Sequence, residues 1–316
     1  MIIPDFLVFN EHGLYCRAGD FFLDPQQPVA HAVISHSHGD HAVRGNQSVY
    51  CTESTAAIMK LRFKTEAAKE FRIYKYKEQF VINGVYITFF PAGHILGSAQ
   101  VLLEYKGMRY LYTGDYKLQA DKTCEPLEFI EADVLITETT FAHPDIQHPD
   151  PVAEIKKLNN SEHNILLGAY SLGKAQRLIN LISSHCPQRK ILVHHTILPI
   201  NKIYESQSFM PGKYEPYNRK LMKQPGQGYV YIVPPITFGN FFRAKNVMRV
   251  FASGWKNLQQ NNDIELFISD HADWNDILRM IAEVKPDEIW TLHGDGVYLK
   301  GYFENKIPVK NLQNER

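Results

Sequence analysis

Six consecutive residues, His36-Ser37-His38-Gly39-Asp40-His41, put three imidazoles and a carboxylate into one short stretch. With 14 histidines in 316 residues, such a run arises by chance on the order of once in a thousand chains of this composition. Imidazole and carboxylate are donor types for zinc and similar divalent ions. The run follows the apolar residues Ala32 to Ile34, and a loop leaving a strand can splay four donors that a helix would align only three or four residues apart. The chemistry predicted is metal ligation, with His36 and His38 serving one ion and Asp40 and His41 a second.

Two ions need further donors, and the chain offers them in similar settings. His94 follows the apolar run Val85 to Phe90 in PAGH, Asp115 follows Arg109 to Tyr112 in TGD, and His293 follows Glu288 to Thr291 in LHGD. Each lies beside a glycine, which lets the backbone turn closely around a site.

Strands must deliver these groups. Apolar runs read as strands at Val29 to Ser35, Val85 to Phe90, Gln100 to Tyr105, Arg109 to Thr113, Val134 to Glu138, Ile264 to Ser269 and Glu288 to Leu292. Lys106-Gly107 is placed as a hairpin turn, and Thr52 to Phe63 and Trp274 to Val284 carry helix-period apolar positions. A tighter strand, helix, strand rhythm at Asn164 to Ala169, Ser171 to Ser184 and Lys190 to His194 predicts a small α/β unit inserted into a β-rich one, with Met210 to Gly228 as loop.

At 44% hydrophobic and 22% charged residues the composition excludes a disordered chain, and the length predicts about two domains. Four scattered cysteines without a C-x-x-C pair fit a reducing compartment. Met1 to Asn10 has an acid at Asp5 and no basic stretch, unlike a signal peptide, and no apolar run reaches the roughly 18 residues of a membrane span. A cytoplasmic protein with no membrane association is expected.

The formal net charge of zero conceals a partition. From Pro151 to Lys256 there are 15 Lys and Arg against 4 Asp and Glu, a surplus of 11 positive charges that the remainder balances. That segment interleaves aromatics with cations at Phe209, Lys213, Tyr214, Tyr217, Arg219 and Lys220, and again at Phe238, Phe241, Phe242, Arg243 and Lys245. Bases stack on rings while phosphates pair with cations, so the mixture predicts a polyanion, nucleic acid, as partner.

Taken in order, Asp24, His36 to His41, His94 in PAGHILGS, Asp115 in TGD, Glu138 in ETTF, His271 in SDHAD and His293 in LHGD resemble the motif series of the β-CASP branch of metallo-β-lactamase-fold nucleases. The resemblance implies an α/β fold: an αββα sandwich from residues 1–145 and 257–316, with an inserted α/β β-CASP cap at 146–256. It implies that His36, His38 and His94 hold one ion and Asp40, His41 and His293 the other, with Asp115 bridging and Asp24 behind the ligands. The implied cofactors are two divalent ions, Zn2+ first, with Mn2+ or Fe2+ as alternatives. Ser171, Lys174 and Arg177 in SLGKAQR resemble a cap motif, implying phosphate contacts at a helix N-terminus.

The implied activity is hydrolysis of a phosphodiester by a metal-bound hydroxide. Asp40 and Asp115 serve the catalytic metals, His271 is the general acid for the leaving oxygen, and Glu138 orients it. The chain is similar to bacterial DNA ligase-associated exonucleases, implying single-stranded DNA as substrate and DNA-repair or ligase partners. It also resembles messenger-RNA 3′-end processing factors, which keeps RNA as the alternative. A small ester or thioester hydrolase on the same scaffold and a metal-free nucleic-acid-binding subunit are the rival classes.

Overall fold

The computed structural model describes residues 1–224, 226–240 and 246–313. These divide into two compact units, one of Met1–Ala120, Cys124–Gln147 and His271–Arg316, the other of Asp121–Thr123 and His148–Asp270.

The first unit is an αββα sandwich. Its first sheet runs in spatial order through Leu7–Asn10, Gly13–Cys16, Phe21–Leu23, His31–Val33, Asn46–Cys51 and Ala68–Ile73. The second runs through Val309–Asn311, Glu288–Leu292, Val134–Glu138, Met108–Tyr112, Ala99–Tyr105, Val85–Pro91 and Gln79–Ile82. Side chains alternate between the faces of these strands, so every second residue enters the same layer. Val134 and Ile136 join Val33, Tyr50 and Leu103 between the sheets, whereas Leu135 and Ile289 face Ile277, Met280 and Ile281 of helix Trp274–Val284. On the other outer face Ala32, Ile34 and Val49 pack against Ala56 and Met59 of helix Glu53–Phe63. Thr52 caps that helix by accepting from Thr55 N, and its hydroxyl donates to Gly97 O at 2.7 Å. Lys106 and Gly107 both have positive φ, as the two-residue turn between Ala99–Tyr105 and Met108–Tyr112 requires.

Strand direction fixes where donors can gather. Val85–Pro91, Met108–Tyr112, Val134–Glu138 and Glu288–Leu292 all point the same way. Their carboxyl ends therefore line one edge of the sheet. His94 and Asp115 lie three residues past two of these ends, Glu138 is the last residue of the third strand, and His293 is the residue after the fourth.

The second unit is a five-stranded, all-parallel sheet in the spatial order Glu215–Pro216, Lys190–Val193, Tyr229–Val233, Asn164–Gly168 and Val247–Phe251. Helices cover both faces, which is why its inner strands read as near-continuous apolar runs. Ile165, Leu167 and Val230 pack against Leu178, Ile179 and Ile182 of helix Lys174–His185, while Leu166, Leu192 and Tyr231 meet Met222 on the opposite side.

Three expectations are corrected. Ile264 to Ser269 is not a strand: it makes a single parallel bridge, Leu266 with Ala252. The Gln259 side chain replaces the ladder, accepting from Leu266 N at 2.9 Å and donating to Leu266 O at 3.2 Å. Leu266 and Ile268 are buried in the second unit's core, so the chain returns to the first unit at His271 and not near residue 257. The expected loop at Met210 to Gly228 also contains the short strand Glu215–Pro216 and helix Arg219–Met222. Among the described residues no helix is long and apolar enough to cross a membrane.

Arg189 shows how the second unit spends part of its charge internally. Its buried guanidinium donates to the carbonyls of Leu158 at 3.0 Å, His163 at 2.7 Å and Ser161. Arg189→Met would strand these acceptors and is expected to destabilise the protein by about 2 kcal/mol. Urea denaturation checks this, and an unchanged midpoint would refute the internal role.

Candidate metal centre

The His-rich loop begins three residues beyond the strand His31–Val33 and turns tightly, with Ala42 N donating to His38 O at 2.9 Å. Asp24 is the post behind it. This buried carboxylate accepts from Ser35 N at 2.7 Å, Tyr112 Oη at 2.9 Å, His41 Nδ1 at 2.8 Å and the Ser35 hydroxyl. Having given its only proton to Asp24, Ser35 Oγ can only accept from His36 Nδ1, 3.0 Å away. Both His36 and His41 thus carry a proton on Nδ1, which turns their Nε2 atoms toward the site. Burial, then Asp24, pushes the Tyr112 phenol well above its usual range, so it remains a donor.

Three imidazole nitrogens converge. His36 Nε2 and His94 Nε2 lie 3.1 and 3.0 Å from His38 Nδ1. Nitrogens held 2.0 to 2.1 Å from a tetrahedral zinc are about 3.3 Å apart, so this trio is spaced as a ligand set. Asp115 adds oxygen donors: Oδ2 is 3.6 Å from His36 Nε2 and 3.7 Å from His94 Nε2, while Oδ1 is 3.3 Å from His41 Nε2. The donor atoms of His36, His38, His94 and Asp115 all lie within 4.8 Å of one another. His41 Nε2 is buried without an aligned hydrogen bond. Once deprotonated, this unsatisfied nitrogen offers a lone pair among buried nitrogen and oxygen donors, an arrangement that fits a divalent cation.

Asp40 and His293 stand further out. Asp40 Oδ2 is 3.8 Å from His41 Nε2 with its side chain 72% exposed, and the His293 ring centroid is 5.0 Å from that of His41. His293 adopts a left-handed φ of 52° and Gly294 follows at 155°, where a side chain would run into Thr139. Gly114, at φ 54°, is equally constrained: a Cβ there would lie 2.7 Å from Ser35 Oγ, within the network that orients His36.

Electrostatics divides the imidazoles. Burial, reinforced by the charge of His41 on His36 and of His38 on His94, holds both rings well below the usual histidine range. Burial opposes charge on His41 as well, but Asp115 and Asp24 outweigh it and raise that ring well above 6.5. Desolvation likewise works against the Asp115 anion, yet His41, then His271, keeps its carboxyl well below the carboxylate range.

A second constellation adjoins Asp115. Glu138 accepts from Tyr116 N at 3.1 Å and from His271 Nδ1 at 2.9 Å. The His271 side chain is 29% exposed, with Nδ1 3.8 Å from Asp115 Oδ2. Ala272 N donates to Tyr116 O at 2.8 Å, so the backbone of one residue secures both partners. The supporting residues Ser35, Tyr112, Tyr116 and Lys117 were not singled out from the sequence. Buried Lys117 donates to His94 O at 2.5 Å, and nothing in its immediate sequence marks it.

The model of the family described as Beta-lactamase superfamily domain matches residues 16–195. The chain belongs to the metallo-β-lactamase superfamily. Among relatives of this superfamily member, a protein named probable DNA ligase from Opitutus terrae is 30% identical over 90% of this chain. This chain spans 28% of that protein's length. An RNase J-like protein from Methanocaldococcus jannaschii is 24% identical over 91% of this chain and 87% of its own length. Endoribonuclease YSH1 from Candida glabrata is 31% identical over 40% of this chain and 17% of its own. A crystal structure of a protein of unknown function from Enterococcus faecalis V583 shares the fold, with TM-score 0.59 and 14% identity over 90% of this chain and 79% of that one.

In this metallo-β-lactamase chain Lys174 and Arg177, expected from the sequence to contact phosphate, are turned onto partners of their own unit. Both side chains are buried. Lys174 Nζ donates to Ile268 O at 2.6 Å and lies 3.2 Å from Asp270 Oδ2. Arg177 donates to Ser269 O, and its guanidinium is 3.1 Å from Asp270 Oδ1 and 3.7 Å from Asp121 Oδ2. Two carboxylates and two carbonyls already occupy these cations. Half-buried Ser171 accepts through its carbonyl from Gln176 Nε2 at 3.0 Å. Lys213, Arg219, Lys220 and Lys223 are exposed, Tyr217 stacks on Tyr231, and Phe238 packs on Phe251. Phe241, Phe242, Arg243 and Lys245 lie outside the described residues.

The protonation pattern makes a testable prediction. At pH 7 His36 and His94 are neutral and can accept a cation directly, whereas His41, raised above 6.5, must lose a proton first. Zinc binding is expected to release about one proton and to tighten as pH rises. Calorimetry in buffers of different ionisation enthalpy measures the release, and Asp24→Asn should diminish it. Heats independent of buffer would contradict the assignment.

Proposed function

We propose that this chain is a metal-dependent nuclease of the β-CASP branch that hydrolyses phosphodiester bonds, with DNA attacked from an end as substrate. One observation carries the reading: the two oxygens of buried Asp115 face separate imidazole groups, Oδ2 toward His36 and His94 and Oδ1 toward His41. A carboxylate shared in this way suits two cations. In this reading His36, His38 and His94 would hold one ion and Asp40, His41 and His293 the other, with Asp115 between the two sets. Zinc is the first candidate because nitrogen donors predominate. Bound there, the cations would ease deprotonation of an attacking water and stabilise the charge gathering on the phosphate oxygens.

The chain's own groups perform the remaining tasks. Asp24 and Ser35 fix the tautomers of His41 and His36, so the inward nitrogens remain available. Glu138 engages His271 Nδ1 and thereby directs Nε2 as the proton donor for the leaving oxygen. Partial exposure of His271 lets that nitrogen regain its proton from solvent. The unit His148–Asp270 serves as the β-CASP cap, and its exposed Lys213, Arg219, Lys220 and Lys223 supply charge for a polyanion.

DNA is the preferred polymer because the protein named probable DNA ligase matches 90% of this chain, and a ligase or another repair enzyme is then the fitting partner. The relative named RNase J-like, most of whose length is matched, supports RNA as the second reading. Four buried free cysteines accord with the reducing cytoplasm.

End-labelled single-stranded DNA and RNA, incubated side by side with zinc and with manganese, test the proposal. Chelator-sensitive cleavage of DNA from one end is expected; cleavage of neither polymer would overturn the nuclease reading. Asp115→Asn should lose bound metal and about a thousandfold or more in turnover. His271→Ala should retain its metals yet lose about 10²–10⁴-fold on oligonucleotides and far less on a p-nitrophenyl phosphodiester, whose leaving group needs no proton. Equal losses on both substrates would remove His271 as the acid.

A further inference from the structure

We infer that Lys174, Arg177 and Asp270 are positioning residues for His271, a conclusion that rests on His271 being the proton donor. The two cations occupy the first turn of helix Lys174–His185, three residues apart and so on one face. Both turn inward onto the same short stretch, Ile268 to Asp270. Each residue of that stretch is gripped: Ile268 O by Lys174 Nζ at 2.6 Å, Ser269 O by Arg177, and the Asp270 carboxylate by Lys174 at 3.2 Å and Arg177 at 3.1 Å. Asp121, 3.7 Å from Arg177 Nε, completes a balanced pair of cations and carboxylates.

The next residue is His271. Its other flank is fixed by Ala272 N donating to Tyr116 O at 2.8 Å and by Asp273, which caps helix Trp274–Val284. The residues flanking the proton donor are therefore each held within their own unit, Ile268 to Asp270 by the two cations and Ala272 and Asp273 by Tyr116 O and the helix cap, while Glu138 orients its ring.

The cluster has a reason to exist beyond stability. A buried ion network gains little over well-packed apolar side chains, because desolvating the charges offsets their attraction. Residues 264 to 270 lack a strand ladder, with Leu266 making one bridge. The cations therefore hold residues 268 to 270 in a segment that has no ladder. A proton donor must come within about 2.6 to 3.2 Å of the atom it serves. A misplacement of about 1 Å costs on the order of 100-fold in rate.

The test uses the metal-loaded full chain with two substrates: the oligonucleotide it cleaves faster and the p-nitrophenyl ester of thymidine monophosphate. Arg177→Met is expected to lower kcat on the oligonucleotide about 10- to 100-fold with KM changed less than about threefold. Cleavage of the p-nitrophenyl ester should fall by less than about threefold, zinc content should equal that of the wild type, and Arg177→Lys should restore most of the loss. Asp270→Asn, which keeps the volume, should give the same split if Arg177→Met fails to fold. Equal losses on both substrates would reduce the cluster to a scaffold. A raised KM with unchanged kcat would return Arg177 to phosphate binding. Either outcome overturns the inference. His271→Ala separates the two claims: a split there but not in the Arg177 and Asp270 variants refutes positioning alone, whereas no split in His271→Ala refutes the acid itself.

Discussion

A single buried carboxylate sets the terms for the first unit. Asp115 is almost wholly withdrawn from solvent, and a charge in such a place persists only when neighbours compensate it. His41, then His271, do so, holding the carboxyl ionised although burial works against it. Pulling four imidazoles around one anion is a demand that no local segment can meet. Strands from distant parts of the sequence must end at one edge, and the common direction of Val85–Pro91, Met108–Tyr112, Val134–Glu138 and Glu288–Leu292 supplies that edge.

Behind the ligands stands a layer that decides orientation. Asp24 takes four hydrogen bonds and passes its influence to His36 through the Ser35 hydroxyl. On the opposite flank the Tyr116 backbone donates to Glu138 and accepts from Ala272, binding the Glu138–His271 pair to the residue after Asp115. Such supporting groups are worth roughly 10- to 100-fold in metal affinity or activity in other metal sites. Backbone shape contributes too: His293 sits at positive φ, a conformation that the surrounding contacts must enforce, whereas Gly114 adopts its positive φ at no steric cost.

The candidate ligands are legible in the sequence for two separate reasons. His36 to His41 are crowded into six residues, a density that chance does not explain. His94, Asp115 and His293 each follow an apolar run and touch a glycine. Their supporters are invisible by the same logic, because Tyr112 reads as one more strand residue and Ser35 as a loop residue. The burial of Lys174 and Arg177 is not legible in the same way, since a count of cations does not tell which are buried. The alternating Ile264, Leu266 and Ile268 look like a strand, and the burial that pattern encodes is real at Leu266 and Ile268. The hydrogen-bond ladder is absent because Gln259 satisfies the Leu266 backbone in its place. Period-2 burial and strand pairing are different properties, and only the first is written in the hydrophobic pattern.

The long interval between Glu138 and His271 has a consequence in time. During translation the half-site of His36, His38, His94 and Asp115 emerges first, and the whole of His148–Asp270 must then be made before His271 and His293 appear. A growing polypeptide thus carries those four donors while it still lacks the Glu138 partner His271 and the last imidazole, His293. Under the nuclease reading, the site is complete only once the late arm of the chain has been made.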